Sequence, residues 1–135
     1  MIKMATVEYY PVEMEAIDLG KVDVHLLRST LPLTIQTLYK RLANKFVAGR
    51  AHWVDFTKKD AFYFDVQAKR GKEGQATELK KNEIGYSYPI DSIIVVLSDN
   101  AEIPYYVVKI GEIIGDASVL KDLKNGTSIK MKLKK

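Results

Sequence analysis

The chain has 135 residues, of which 47% are hydrophobic and 28% charged, with 21 basic residues against 17 acidic ones and a net charge of +4. This composition fits one globular domain and excludes a disordered or fibrous chain. The absence of cysteine excludes disulfides, thiolate metal sites and a cysteine nucleophile.

No apolar run approaches the ~20 residues that span a bilayer. The longest, Ile93–Leu97, is far shorter. Met1 to Tyr10 is short and mixed, with Glu8 interrupting it, so it does not read as a secretory leader and the cytoplasm is the expected compartment. The basic surplus gathers in Lys69–Lys72, Lys80–Lys81 and Lys130–Lys135. A Lys-rich surface and tail of this kind keep a small protein in solution, a reading preferred to a nucleic-acid footprint. The many Lys and Glu residues, short turns and missing cysteine are also compatible with a thermophilic source.

Val12, Met14 and Ala16 alternate with Glu13 and Glu15. Val22, Val24 and Leu26 alternate with Lys21, Asp23 and His25 in the same way, the period-2 signature of half-buried strands. A turn at Leu19–Lys21, around Gly20, joins them as a hairpin, with Thr6–Tyr9 as a possible strand before it. The period then changes. Ser29 or Thr30 is placed to cap a helix with Pro32 in its first turn, and Leu31, Ile35, Leu38, Tyr39 and Leu42 fall on one face. Lys40, Arg41 and Lys45 suit its negative C-terminal end. Such a helix lies across one open end or side of a sheet.

Val47–Phe56 and Ala61–Gln67 read as two strands joined by the polar turn Thr57–Asp60. Lys69–Gly74 contains two glycines and no apolar residue, which marks it as the most mobile loop. Gln75–Leu79, Ile84–Tyr88, Ser92–Leu97, Tyr105–Ile114 and Thr127–Leu133 complete the strands, and Asp116 or Ser118 caps a short helix through Leu123. Two short helices and about eight or nine strands, without βαβ alternation, give a mainly β fold that is an antiparallel barrel or sandwich.

Asn82–Leu97, reading N-E-I-G-Y-S-Y-P-I-D-S-I-I-V-V-L, resembles the glycine, tyrosine, aromatic, proline motif of the cyclophilin-like domain family of uncharacterised microbial proteins. Arg50–Trp53 with Phe62–Phe64 is similar to that family's arginine, tryptophan, aromatic strand pair. Val108–Gly115 resembles its V-x-x-I-G-x-I strand and Leu120–Lys132 its L-K-x-L-K-x-G-x-x-I ending. The likeness spans roughly residues 12–134, so the first ten residues look like an addition. Two departures stand out: Val54 and Asp55 follow Trp53 where the family has glycine and an acidic residue, and its double proline is reduced to Pro89. The resemblance implies a closed β-barrel of about eight strands with two short helices, an external cleft, and no established reaction.

Two functional readings follow. In the first, the external cleft near Arg50, His52, Trp53, Tyr86 and Tyr88 holds a small molecule or an extended peptide, the aromatic residues combining apolar area with polar tips. Trp53 shares its parity with Ala51 and so is equally suited to the core.

In the second, the chain is a degenerate peptidyl-prolyl isomerase. Arg50 hydrogen-bonds the prolyl nitrogen and weakens an amide barrier of about 20 kcal/mol, Phe62 or Phe64 packs the proline ring, and Gln67 orients the backbone. The phenylalanine, histidine, arginine signature of the enzymes is absent, and their F-x-x-Q-G-G-D run is only half matched by Phe64–Gln67. His52 and His25 lie on separate strands with no cysteine or histidine near either, so neither metal nor cofactor is implied. Serine and threonine lack a base and orienting acid, and no glycine loop precedes a helix as phosphate binding requires.

Overall fold

The computed structural model describes residues 9–55 and 57–134. Eight strands run in the order β1 (Tyr9–Ala16), β2 (Gly20–Leu27), β3 (Val47–Trp53), β4 (Ala61–Asp65), β5 (Glu83–Ser87), β6 (Ser92–Val96), β7 (Val108–Ile114) and β8 (Ser128–Leu133). One helix, α1 (Pro32–Asn44), follows β2, and a 3-10 turn, Ser118–Asp122, precedes β8. Every strand pair is antiparallel, and the neighbours close on themselves as β1-β2-β7-β5-β6-β4-β3-β8. The chain folds as a closed barrel.

Alternation builds its inside. Val12, Met14 and Ala16 of β1, Val22, Val24 and Leu26 of β2, and Ile129 and Met131 of β8 are buried, while the glutamates and lysines between them face outward. The β1–β2 hairpin pairs Ala16 with Gly20, and Asp18 takes the positive φ of 69° that the tight turn requires. Tyr9 and Tyr10 belong to β1, opposite Leu27 and Leu26, so the strand begins ahead of the residue at which the family likeness starts. The proposed strand at Thr6–Tyr9 otherwise lies outside the described residues, as does Phe56.

Each mouth of the barrel is plugged. At one end Leu38 and Leu42 of α1 pack down onto Leu26, Val47, Ile93 and Met131. At the other, Leu120 and Leu123 around the 3-10 turn are fully buried, and the indole N–H of Trp53 donates to the Leu123 carbonyl at 2.7 Å.

The start of α1 departs from expectation. Neither Ser29 nor Thr30 caps it: the residue before Pro32 is Leu31, and no side chain there bonds to the helix. Instead the Glu73 carboxylate accepts from Leu33 N at 2.9 Å and from Thr34 N and Oγ1 at 3.0 and 2.7 Å. A distant acid does what a local hydroxyl was expected to do, and it suits the positive end of the helix dipole better. Arg41 in the last turn donates to the Val66 carbonyl.

The loop around Lys69–Gly74 is therefore a strap laid along α1. Its near end is held by Asp91, whose carboxylate accepts from Ala68 N and Lys69 N at 3.0 and 3.1 Å. At its far end the Tyr106 hydroxyl donates to Gly74 O at 2.7 Å. The mobile polar loop read from the sequence is pinned at both ends.

Gln75–Leu79 is not a strand. Both ladder edges of β5 are already taken by β6 and β7, so this segment has no strand to join and keeps, among the described residues, a single bond between main-chain groups, Thr77 N to Val107 O at 2.8 Å. The strand read over Tyr105–Ile114 is also shorter than expected, since Tyr105–Val107 crosses the outer face before β7 begins at Val108. β3 ends at Trp53, and β4 ends at Asp65, beyond which Gln67 and Lys69 take positive φ of 53° and 54° and turn the chain away. This crossing leaves β6 buried on both faces: Ile93 and Val95 point into the barrel, while Ile94 and Val96 sit in a second cluster with Ala61, Leu79 and Val107. Among the described residues no helix is long and apolar enough to cross a membrane.

Candidate functional site

The candidate residues separate into two groups at the barrel wall. Ala51, Trp53, Phe62 and Phe64 point inward and are buried. Trp53 meets Phe62 edge-on with centroids 5.7 Å apart, beneath the 3-10 turn. Trp53 is a core residue, and Phe62 and Phe64, both at 0% exposure, cannot pack a proline ring from outside.

Tyr86 is also interior, at 2% exposure, because it shares parity with Ile84 on β5. Its hydroxyl donates to Asp91 Oδ1 at 2.6 Å. Burial, reinforced by that carboxylate, pushes the phenol well above the usual range, so Tyr86 stays neutral and serves as a strut for the strap. Tyr88 lies past the end of β5, half-buried, with its ring 5.3 Å from that of Tyr106.

Arg50 and His52 lie outward on β3, both exposed. Arg50 Nη1 reaches the Gly126 carbonyl at 3.3 Å. Gln67 is exposed too, but it falls past the end of β4 rather than beside Arg50 on a strand. The structure thus does not assemble Arg50, Phe64 and Gln67 as one constellation, nor Arg50 and His52 with Trp53 and Tyr86.

What it does assemble lies beside His52 on the outer face. Across the β3–β4 ladder His52 opposes Tyr63, with ring centroids 5.7 Å apart, and Tyr105 stands edge-on to Tyr63 at 5.9 Å. Burial, then the neighbouring Tyr105, raises the Tyr63 phenol, so Tyr63 is a neutral hydrogen-bonding surface at ordinary pH. Ala61, on the same face of β4 as Tyr63, opens into a cleft of about 360 Å³.

Its floor is Val54 and Ala61, its far wall is Ala101, Ile103 and Pro104, and its rim carries Asp55, Asp60, Glu102 and Lys58. Asp55 is tied into its own turn, accepting from the Thr57 hydroxyl and amide, which lower its pKa and keep it ionised. The volume falls within the range of about 300–1,000 Å³ typical of small-molecule sites.

This barrel has a solved counterpart. It is similar to the hypothetical protein AF2241 from Archaeoglobus fulgidus, whose solution structure superposes with a TM-score of 0.74 over 96% of this chain and 98% of that one, at 19% identity. At that identity the likeness carries the fold alone. No family profile matches the chain, and neither does any curated protein.

Sequence reasoning found His52 and missed its partners. Tyr63 is placed outside by the alternation of Phe62, Tyr63 and Phe64, a signal present in the sequence. Tyr105 and the 101–104 wall are not legible there, because their position depends on an irregular crossing of the outer face. Among the described residues, no group of three or more His, Asp or Glu side chains is placed to hold a metal ion.

Proposed function

We propose that the protein is a binding module whose outer cleft, floored by Val54 and Ala61 and continued by Tyr63, Tyr105 and His52, holds a small molecule or an extended peptide. The observation that carries this reading is a cleft of about 360 Å³ on the outside of the barrel wall, with half-buried Val54, Ala101 and Ile103 along it and the half-buried Tyr63–Tyr105 pair beside it. An apolar floor provides the attraction, and the carboxylates and ammonium around it provide orientation.

A second reading, a weak prolyl isomerase, is supported only by the outward placement of Arg50 on the same face. The buried Phe64 and the displaced Gln67 count against it.

Amide NMR titration with proline-containing tetrapeptides, including exchange spectra at the prolyl bond, distinguishes them. Saturable shifts at Ala61, Tyr63 and Ala101–Ile103 without cis/trans exchange are expected, and Tyr105→Ala should weaken binding by about tenfold, as loss of a central aromatic contact does. Exchange cross-peaks at catalytic protein concentration would replace the binding module with an enzyme. Silence of the cleft at millimolar peptide, and to a metabolite panel, would sink both readings.

A further inference from the structure

The far wall of the outer cleft is a stretch of chain whose main-chain groups are unpaired. Pro104 disfavours helical backbone at Ile103, and the chain runs without a turn from Ala101 through Pro104. Ala101 N reaches back to Ser98 O at 3.3 Å, and Val107 O receives Thr77 N at 2.8 Å. Between them, from Glu102 to Tyr105, no main-chain N–H or C=O takes a hydrogen bond among the described residues. Glu102 and Pro104 are exposed and Ala101 and Ile103 half-buried, so an incoming main chain can reach this stretch.

The rim gives the cleft a sign. Asp55 is taken up by the Thr57 amide and hydroxyl and is offset by Lys58 close by. That leaves the Asp60 and Glu102 carboxylates, which take no hydrogen bond or ion pair among the described residues. Neither residue is buried, so both are open to a ligand. Two uncompensated negative charges beside an apolar floor run against the +4 net charge of the chain.

On the reading of the outer cleft as a binding site, we propose that its occupant is an extended segment of a partner polypeptide in which a lysine or arginine stands beside apolar residues. The segment lays its main chain along Glu102–Tyr105 as an added strand does, its apolar side chains cover Val54, Ala61 and Ile103, and its cation pairs with Asp60 and Glu102. Each observation removes an alternative. An acidic segment would meet two unpaired carboxylates. A hydrophilic cation would leave the apolar floor in water. A small amphipathic amine would match the floor and the charges but leave the main-chain groups of the wall without partners.

The test is an amide NMR titration of the full chain with the acetylated and amidated tripeptides Val-Lys-Val, Val-Gln-Val and Val-Glu-Val, and with n-pentylamine as a cation that has an apolar body and no main chain. Val-Lys-Val should give saturable shifts at Ala61, Glu102 and Ile103 and bind about fivefold more tightly than Val-Gln-Val, the worth of a partly exposed ion pair, with Val-Glu-Val and n-pentylamine weaker still. The preference for lysine over glutamine should vanish at about 1 M salt, which screens exposed charges. It should also vanish in the double variant Asp60→Asn, Glu102→Gln, whose near-isosteric changes keep the main-chain bond from Leu97 N to Asp60 O. Equal affinity for the three tripeptides, n-pentylamine matching Val-Lys-Val, or a lysine preference unchanged in the double variant would overturn the basic-peptide assignment while leaving the cleft a binding site. Silence of the cleft to all four probes would overturn the assignment as well, and the separate metabolite panel then decides whether the cleft binds anything.

Discussion

Glu73 carries more of this structure than its place in a glycine-bearing loop suggests. Burial alone would raise its carboxyl, but the amides of Leu33 and Thr34 and the Thr34 hydroxyl, with Arg70 nearby, outweigh that and hold it below its ordinary value of 4.5. A depressed folded value gives stability that is full above 4.5 and is lost as the pH falls through the lower folded value. Glu73→Ala should therefore cost about 1 kcal/mol at neutral pH, the usual worth of a helix cap, with water screening the charge term. The gap between wild type and variant, measured by urea denaturation, should narrow below pH 4.5. A gap that stays constant into acid would show that Glu73 acts only by packing.

Other residues show what a sequence does and does not disclose. The inward burial of Trp53 was legible from its parity with Ala51. Tyr86 was open to the same argument through Ile84, yet its chemical attractiveness as a cleft residue outweighed its position. Glu73 could not have been found: its partners lie 39 and 40 residues away, and nothing local in a Lys-Glu-Gly stretch announces a cap.

At the scale of elements, close approach governs what the strands tolerate. A Cβ on Gly49 would collide with the Asp65 main-chain carbonyl, and one on Gly111 would sit 2.5 Å from His25 O. Both obstacles are backbone, so the strands themselves must part. Gly49→Ala should destabilise by about 1–3 kcal/mol or more, the cost of overpacking. Gly71→Ala, where nothing lies within 4 Å, should fall within about 0.5 kcal/mol of wild type. Thermal unfolding of the two variants side by side checks the contrast, and equal stability would mean that β3 moves freely against β4.

The elements themselves were mostly legible, because period 2 in β1, β2 and β4 and period 3.6 in α1 are direct consequences of a filled barrel and a plug. Gln75–Leu79 was not. Its composition resembles a strand, and only the closed ladder around β5 denies it a partner. Strand pairing is a property of the sheet, and no segment announces by itself that both edges are occupied.

For the whole molecule, the joining of β1 to β8 decides whether the barrel exists. Val12 pairs with Leu133 and Ala16 with Ile129, and Lys134 N donates to Pro11 O at 3.0 Å. A chain ending at Gly126 would leave β1 and β3 with open edges and the main core uncovered on one side. It should lose the dispersed amide spectrum and cooperative melting of the full chain, and a folded, monomeric product would show that the remaining seven strands suffice.

That seam also sets a timetable for synthesis. The β1–β2 hairpin leaves the ribosome early, but the strand that must lie against β1 follows about 100 residues later, roughly 5–20 s at ordinary elongation rates. Through that interval the nascent hairpin carries Val12, Met14 and Ala16 beside an unpaired ladder, a surface suited to chaperones or to a neighbouring nascent chain. Speed of translation thus sets how long that edge stays open before β8 arrives to close it.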